Sequence, residues 1–394
     1  VLEHFGAVTL EPFGLTGLPL ATAAAGAILR YLRENQKAAL ACLTRLSTYS
    51  TAGFMALDPA VLRHLEVFQG LRPGAPPLLS VIDLTRTAMG GRLLRSWLGQ
   101  PLLDLEGLHR RQEAVAWFHS HAQARTRALS LLSGMPDLER LTGRVRVGTI
   151  LPRELLALKE GLEAIPSLGE AVGEAVEALA GRLAPCPEVG DLIGRAISPA
   201  EGETIHPGFS PELDEVREGA RKAREYLASL EGRERERTGI KSLKVGYNEV
   251  FGYYIEVTRT HLERIPAEYQ RRQTLVGAER FITPELKEYE SLILHARERT
   301  EEMESLLYRQ VCQQVAGEGE RLLSSARALA LIDVAAALAE VAVRYGYTRP
   351  TLSDDDVISL KGGRHPVVER SLDPASGGFV PNDTYLSGRE SQLV

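Results

Sequence analysis

Two stretches of the chain share one hydrophobic rhythm. Leu213, Val216, Ala220, Ala223, Leu227 and Leu230 recur at steps of three and four, and Leu286, Tyr289, Ile293, Ala296, Thr300, Met303 and Leu307 repeat the pattern. Apolar residues at that spacing line one face of a helix, and two such faces close on each other as a coiled-coil seam. Both stretches open with the same start signal, Ser210-Pro211-Glu212 and Thr283-Pro284-Glu285. Each offers a hydroxyl at the N-cap, proline at the first helical position and an acid at the positive end of the dipole. The pattern predicts two antiparallel helical arms, each roughly 40 Å long at about 1.5 Å per residue.

Between the arms, from Thr238 to Thr283, the period falls to two. Leu243, Val245 and Tyr247 alternate with Lys244 and Gly246; Phe251, Tyr253, Ile255 and Val257 alternate with Gly252, Tyr254, Glu256 and Thr258. A break at Asn248-Glu249 between two such runs predicts a β-hairpin. Gln273–Val276 and Arg280–Thr283 are further strand candidates that would complete a small sheet. The picture is a β module carried between two arms, built to reach something.

Elsewhere helix dominates. A strand-like stretch at Ala7–Leu10 and a Gly/Pro turn lead into a predicted helix from Ala21 to about Leu43, as at the end of an α/β domain. From about Pro59 to Leu183 the pattern is helical, with breaks expected at Arg72–Pro77, Pro101, Pro136, Pro152 and Pro166. Asp104 is a candidate N-cap, and Trp97, Trp117 and Phe118 are core candidates. Apolar helix resumes through Leu329, Val334, Leu338 and Val341 and stops at Tyr345-Gly346. Beyond Pro350, Val357–Leu360 and a Gly-rich loop suggest the opening of another domain. The fold class is mainly α with a small β module, plus partial α/β pieces at both ends.

Composition narrows the function. With 44% hydrophobic and 25% charged residues, the chain is ordinary for a globular protein. No apolar run reaches transmembrane length, and the N-terminus lacks the charged and apolar regions of a signal peptide. The missing initiator Met fits a chain cut from something longer. Cys42, Cys186 and Cys312 form no CxxC pair, which points to a reducing, cytoplasmic setting and away from a cysteine zinc site. Only 7 of 46 basic residues are lysine, a skew consistent with a GC-rich genome or with heat adaptation. The net charge of −6 argues against a dedicated nucleic-acid binder, but it is uneven: from Thr238 to Pro284 seven basic residues face five acidic ones.

Catalytic signatures are missing. No lysine follows a glycine, so there is no GxxxxGK[ST] phosphate loop. His119 and His121, at i and i+2 on a helix, point apart and read as an exposed patch, not as metal ligands. Asp354–Asp356 reads as a solvated turn. The β module is the better candidate: Lys and Arg among Ser, Thr, Tyr and Gln can donate hydrogen bonds to phosphate oxygens without reading sequence. The alternative is that Arg271 and Arg272 are consumed in surface ion pairs with Glu268 and Glu279.

Several ordered motifs carry a family resemblance. Thr238-Gly-Ile-Lys-Ser-Leu-Lys-Val-Gly-Tyr-Asn248, Gly252-Tyr-Tyr-Ile255, Arg271-Arg-Gln-Thr-Leu275, Ala278-Glu-Arg-Phe281 and Pro284-Glu-Leu-Lys287 resemble the clamp domain of the bacterial MutS mismatch-repair proteins. Ser80-Val-Ile-Asp83, Met89-Gly90 and Arg92-Leu-Leu-Arg-Ser-Trp-Leu98 resemble the start of that family's helical core. Gly363-Arg-His-Pro-Val-Val-Glu369 and Phe379-Val-Pro-Asn382 resemble the opening of its ATPase domain. The resemblance implies residues 1–50 as the end of a connector domain, 51–205 and 300–346 as core and lever, 206–299 as clamp with its β module at 238–283, and 347–394 as the start of an ATPase domain.

It further implies a chain that grips the backbone of double-stranded DNA, with Lys241, Lys244, Arg271, Arg272, Gln273 and Arg280 as candidate contacts. Phe379, Val380, Pro381 and Asn382 match the segment beside the adenine of bound nucleotide. The full-length parent would be a homodimeric DNA-dependent ATPase using ATP or ADP with Mg and working with downstream repair proteins. This chain would have no cofactor or catalytic residues of its own, since the mismatch-reading domain and the phosphate loop are missing. The competing reading is an SMC-like lever whose distal module binds protein instead of DNA.

Overall fold

The computed structural model describes the chain except residues 38, 39, 41, 42, 44, 45, 50, 174–182, 201, 249–251, 373–377 and 389–394. In chain order its longer elements are α1 (Pro19–Asn35), α2 (Ala88–Gly99), α3 (Leu105–Ser120), α4 (Ala122–Leu132), α5 (Leu138–Val147), α6 (Pro152–Val172) and α7 (Pro211–Thr238). Strands β1 (Lys244–Asn248), β2 (Gly252–Thr258), β3 (Gln270–Thr274) and β4 (Ala278–Ile282) follow. Then come α8 (Pro284–Gly317), α9 (Gly319–Tyr345), β5 (Val357–Gly363), α10 (Pro366–Ser371) and β6 (Asn382–Ser387). The protein is mainly helical, with one four-stranded and one two-stranded antiparallel sheet. Two compact units divide it: Leu192–Cys312, and the remainder on either side.

The larger unit is organised around α9. Leu322, Leu329, Ile332, Ala336 and Ala339 are buried on several sides of this helix, and α2, α3, α4 and α5 pack against it. A helix apolar around its circumference belongs in a core. One acid sits inside it: Asp333, fully buried, accepts from the Arg86 and Thr87 backbone N–H groups and from Thr87 Oγ1 at 2.7 Å. Thr87 in turn caps α2 by accepting from Gly90 N. Burial pushes the Asp333 carboxyl up, and the Arg86 and Thr87 donors pull it partly back.

Several expectations needed correction. Ala7–Leu10 is not a strand: residues Leu2–Phe5 form one helical turn closed by Gly6 at φ 60, and Ala7–Leu10 pair with no strand among the described residues. The helix expected over Ala21–Leu43 runs from Pro19 to Asn35 and is interrupted at Gln36, after which Lys37 and Leu40 are again helical; Cys42 lies outside the described residues. Pro166 does not break the chain. It sits on the exposed face of α6, whose other face buries Leu155, Leu158, Leu162, Ile165, Leu168 and Val172. That packing outweighs a cost of about 3 kcal/mol for an internal proline. Phe118 is fully buried, whereas Trp97 and Trp117 are half-exposed. Arg111 stacks on Trp97 at 3.8 Å and His121 on Trp117 at 4.6 Å, so both rings serve as platforms at the rim of the core. Asp104 caps α3 as expected, accepting from Gly107 N at 2.9 Å.

In the smaller unit α7 and α8 run antiparallel. Arg217 of α7 pairs with Glu304 of α8 at 2.5 Å, and further along Tyr226 stacks on Tyr289 at 3.8 Å. Tyr226 also donates to Glu285; burial, reinforced by that carboxylate, pushes its phenol up to about 12. Ser210 and Thr283 cap the two helices through Leu213 N and Leu286 N. The predicted stripe on α7 is the buried one: Leu213, Ala220, Ala223, Leu227 and Leu230.

The four-stranded sheet has order β1-β2-β4-β3. Its inner face contributes Ile255, Val257 and Phe281 to a core with Leu227 and Leu230 of α7 and Leu286 of α8. The third strand begins three residues before its expected start and ends at Thr274, leaving Leu275–Gly277 as a turn. The fourth covers Ala278–Ile282.

Candidate functional site

Polar ties hold the sheet on its helices. Glu231 of α7 accepts from Val245 N at 3.0 Å, and Arg235 Nε donates to the Leu243 carbonyl at 2.7 Å. Tyr269 OH donates to buried Glu234, which also pairs with Arg237. Burial and the Glu234 carboxylate both push the Tyr269 phenol up. From α8, buried Glu290 accepts from Tyr253 N at 3.0 Å and pairs with Lys287. The sheet is therefore tied at both ends, through Tyr253 N at the Gly252 end and through the Leu243 carbonyl at the other, and β2 spans about 20 Å between them at about 3.3 Å per residue.

On the outer face, Lys244, Glu256, Arg280 and Gln273 stand opposite one another, one per strand. Arg280 is fully engaged within that row. Its Nε donates to Glu256 at 3.0 Å, its Nη1 to Gln273 Oε1 at 3.0 Å, and its guanidinium lies 4.2 Å from the Tyr254 ring centre. The Tyr254 ring crosses Gly246, where an added Cβ would meet it at 2.7 Å. Arg280 and Gln273 thus brace the sheet surface.

The remaining cations differ. Arg271 pairs with Glu279 at 3.3 Å yet stays 63% exposed. Arg272 is the extra residue of a β-bulge: Arg271 faces Phe281 and Gln273 faces Arg280, with no partner position between. A bulge re-aims a side chain out of the ladder. Arg272, Lys241 and Lys244 are exposed and make no ion pair among the described residues. Of the two acids expected to neutralise this patch, Glu279 pairs with Arg271 as expected, whereas Glu268 is taken by Arg237 at 2.5 Å.

One group escaped sequence reading. Ser242, Thr258 and Thr260 form a hydroxyl chain at 3.0 and 3.3 Å, at the end of the sheet remote from Glu290. Arg259 lies between Thr258 and Thr260 in sequence, its Nη2 donating to Leu275 O at 3.0 Å and its backbone N to Gly277 O at 3.2 Å. The signal was present in Thr258-Arg259-Thr260, a cation between hydroxyls where a strand ends. Only the pairing of Thr258 with Ala278 shows that this tripeptide meets the Leu275–Gly277 turn. Exposed cations and hydroxyls on a braced sheet form a donor surface suited to phosphate oxygens.

Phe379–Asn382 belong to the larger unit and lead into β6. Val380 is 72% exposed, and Asn382 Nδ2 donates to the Val380 carbonyl at 3.2 Å. Among the described residues no group of three or more His, Cys, Asp or Glu could hold a metal ion, and no helix is long and apolar enough to cross a membrane.

Comparison with known proteins places these features in context. A family model described as MutS domain III matches residues 60–339. The DNA mismatch repair protein MutS of Dehalococcoides mccartyi is 46% identical over 406 residues, an alignment spanning 100% of this chain and 47% of that protein. The protein of the same name from Symbiobacterium thermophilum is 47% identical over 404 residues, spanning 100% of this chain and 46% of the relative. The chain therefore covers about half the length of the curated relatives it matches.

Proposed function

Because the chain belongs to the MutS family of DNA mismatch-repair proteins, we propose that its four-stranded module grips duplex DNA through the phosphate backbone. One observation carries this reading: Lys244 and Arg272, on a sheet that α7 and α8 tie down, and Lys241, in the turn leading into β1, are exposed and free of ion pairs among the described residues. Arg271 and Arg259 add charge beside them. Arg280 and Gln273 act by keeping the surface flat and correctly charged. Such contacts carry no base information, so binding is sequence-independent and strongly salt-dependent.

At the level of the whole protein the same reading extends to recognition of mismatched DNA, dimerisation, work with later repair proteins and a nucleotide site. Phe379, Val380 and Pro381 offer apolar surface and Asn382 an amide donor and acceptor, a set that suits one flank of an adenine. ATP with Mg, when bound, would supply a hydrolysable phosphoanhydride; the residues of this chain would only orient the base.

The test is a titration of a 30-base-pair duplex across a salt series with Lys241→Ala/Lys244→Ala/Arg272→Ala. Each lost phosphate contact should flatten the log–log salt slope by about 0.9, so three flatten it by roughly 2.7 and weaken binding at low salt. An unchanged slope would exclude the reading and favour a module that binds protein.

A further inference from the structure

The Leu275–Gly277 turn presents an apolar side chain that none of the described residues covers: Val276 is 97% exposed. An exposed apolar residue on a loose loop means little. This turn is pinned. Leu275 N donates to Ala278 O at 2.8 Å, Arg259 Nη2 reaches Leu275 O at 3.0 Å, and Arg259 N reaches Gly277 O at 3.2 Å. The same arginine lies in sequence between Thr258 and Thr260, which with Ser242 form the hydroxyl chain, so the apolar point and the polar donors share one end of the sheet. A surface with donors placed around a fixed aliphatic tip is matched to a target that alternates anionic and apolar groups. The DNA backbone is such a target, with deoxyribose faces between its phosphates.

We infer, building on the phosphate-contact reading above, that Val276 is an apolar foot that packs on the deoxyribose of one strand while Arg259 and the neighbouring hydroxyls take the flanking phosphates. Valine is short and β-branched; it fills a sugar-lined hollow without prying bases apart, so the contact leaves the duplex unkinked. It supplies a salt-independent part of the affinity, separate from the counterion release that the lysines and arginines bring about.

Val276→Thr and Val276→Ala test this, because a solvent-facing side chain is replaced and the fold is undisturbed; unchanged melting of each variant checks that point. In the same salt series on the same 30-base-pair duplex, Val276→Ala, which withdraws two methyl groups, should bind about fifteenfold more weakly at every salt concentration, and Val276→Thr, which exchanges one methyl for a hydroxyl, about fourfold more weakly. Their salt slopes should equal that of the parent chain. Affinity within twofold of the parent overturns the inference, as does a flattened slope, which would mean that the turn only positions charge. The two readings fail separately. If the lysine–arginine triple variant keeps its slope, DNA contact itself is wrong; if it loses slope while the Val276 variants bind normally, only the apolar foot is wrong.

Discussion

Asp333→Ala should unfold the larger unit at a temperature roughly 10 °C lower than the parent chain. Asp333 is fully buried in α9 and accepts from Arg86 N, Thr87 N and Thr87 Oγ1. Those donors open α2, and removing the carboxylate strands them in a site closed to water. A buried unsatisfied donor costs about 1–3 kcal/mol, so the loss is about 4 kcal/mol, and a unit of this size shifts by roughly 2–4 °C per kcal/mol. A scanning-calorimetry midpoint within about 2 °C of the parent would refute the assignment. Asp333→Asn keeps one acceptor and should cost less, but it also separates charge from shape. Burial makes the folded carboxyl the weaker acid. Its contribution to stability is therefore fullest below the unfolded value near 4 and declines as pH rises through the raised folded value. The Asn variant should flatten that decline.

Gly252→Ala should destabilise the smaller unit by about 3 kcal/mol. Gly252 has φ +79, and a Cβ there would overlap Glu290 Oε1. Left-handed backbone costs a residue with a Cβ about 1–2 kcal/mol, and displacing Glu290 leaves Tyr253 N without its acceptor. Glu290→Ala alone loses that hydrogen bond and the pairing with Lys287. Since Gly252 and Glu290 act at one point, the double variant should be less destabilised than the sum of the singles, with a coupling of about 1 kcal/mol or more. Additive urea-unfolding energies would show that the carboxylate does not seat the hairpin.

The elements were more legible than their connections. Caps at Ser210, Thr283 and Asp104, the seam on α7 and the alternation that became β1 and β2 are local patterns, and local patterns survive in a single sequence. Pro166 misled because its penalty is local while the packing that overrides it, against α4 and α5, is not. Among the candidate contacts, Lys241, Lys244 and Arg272 stand free of ion pairs among the described residues, whereas Arg280 and Gln273 bond each other. Separating these groups needed the register of β3 on β4, including a bulge that no propensity marks. Nothing in the sequence distinguishes Glu231, Glu234 and Glu290 from the other charges on α7 and α8. Each ties the sheet to a helix, since its partner, Val245 N, Tyr269 OH or Tyr253 N, lies in the sheet or a loop beside it.

These ties matter to function because a phosphate grip requires cations held at a fixed spacing. The sheet supplies that spacing only if both helices hold it, through Glu290 at the Gly252 end and Arg235 at the other. The most direct measurement is photocrosslinking of the chain to a radiolabelled 30-base-pair duplex, with a benzophenone amino acid placed at Lys241, at Arg272 or, as a control, at exposed Leu306 on α8. The account predicts DNA adducts from positions 241 and 272, regardless of duplex sequence and suppressed by salt, and few from position 306. Adducts absent from positions 241 and 272, or equally abundant from all three, would contradict it.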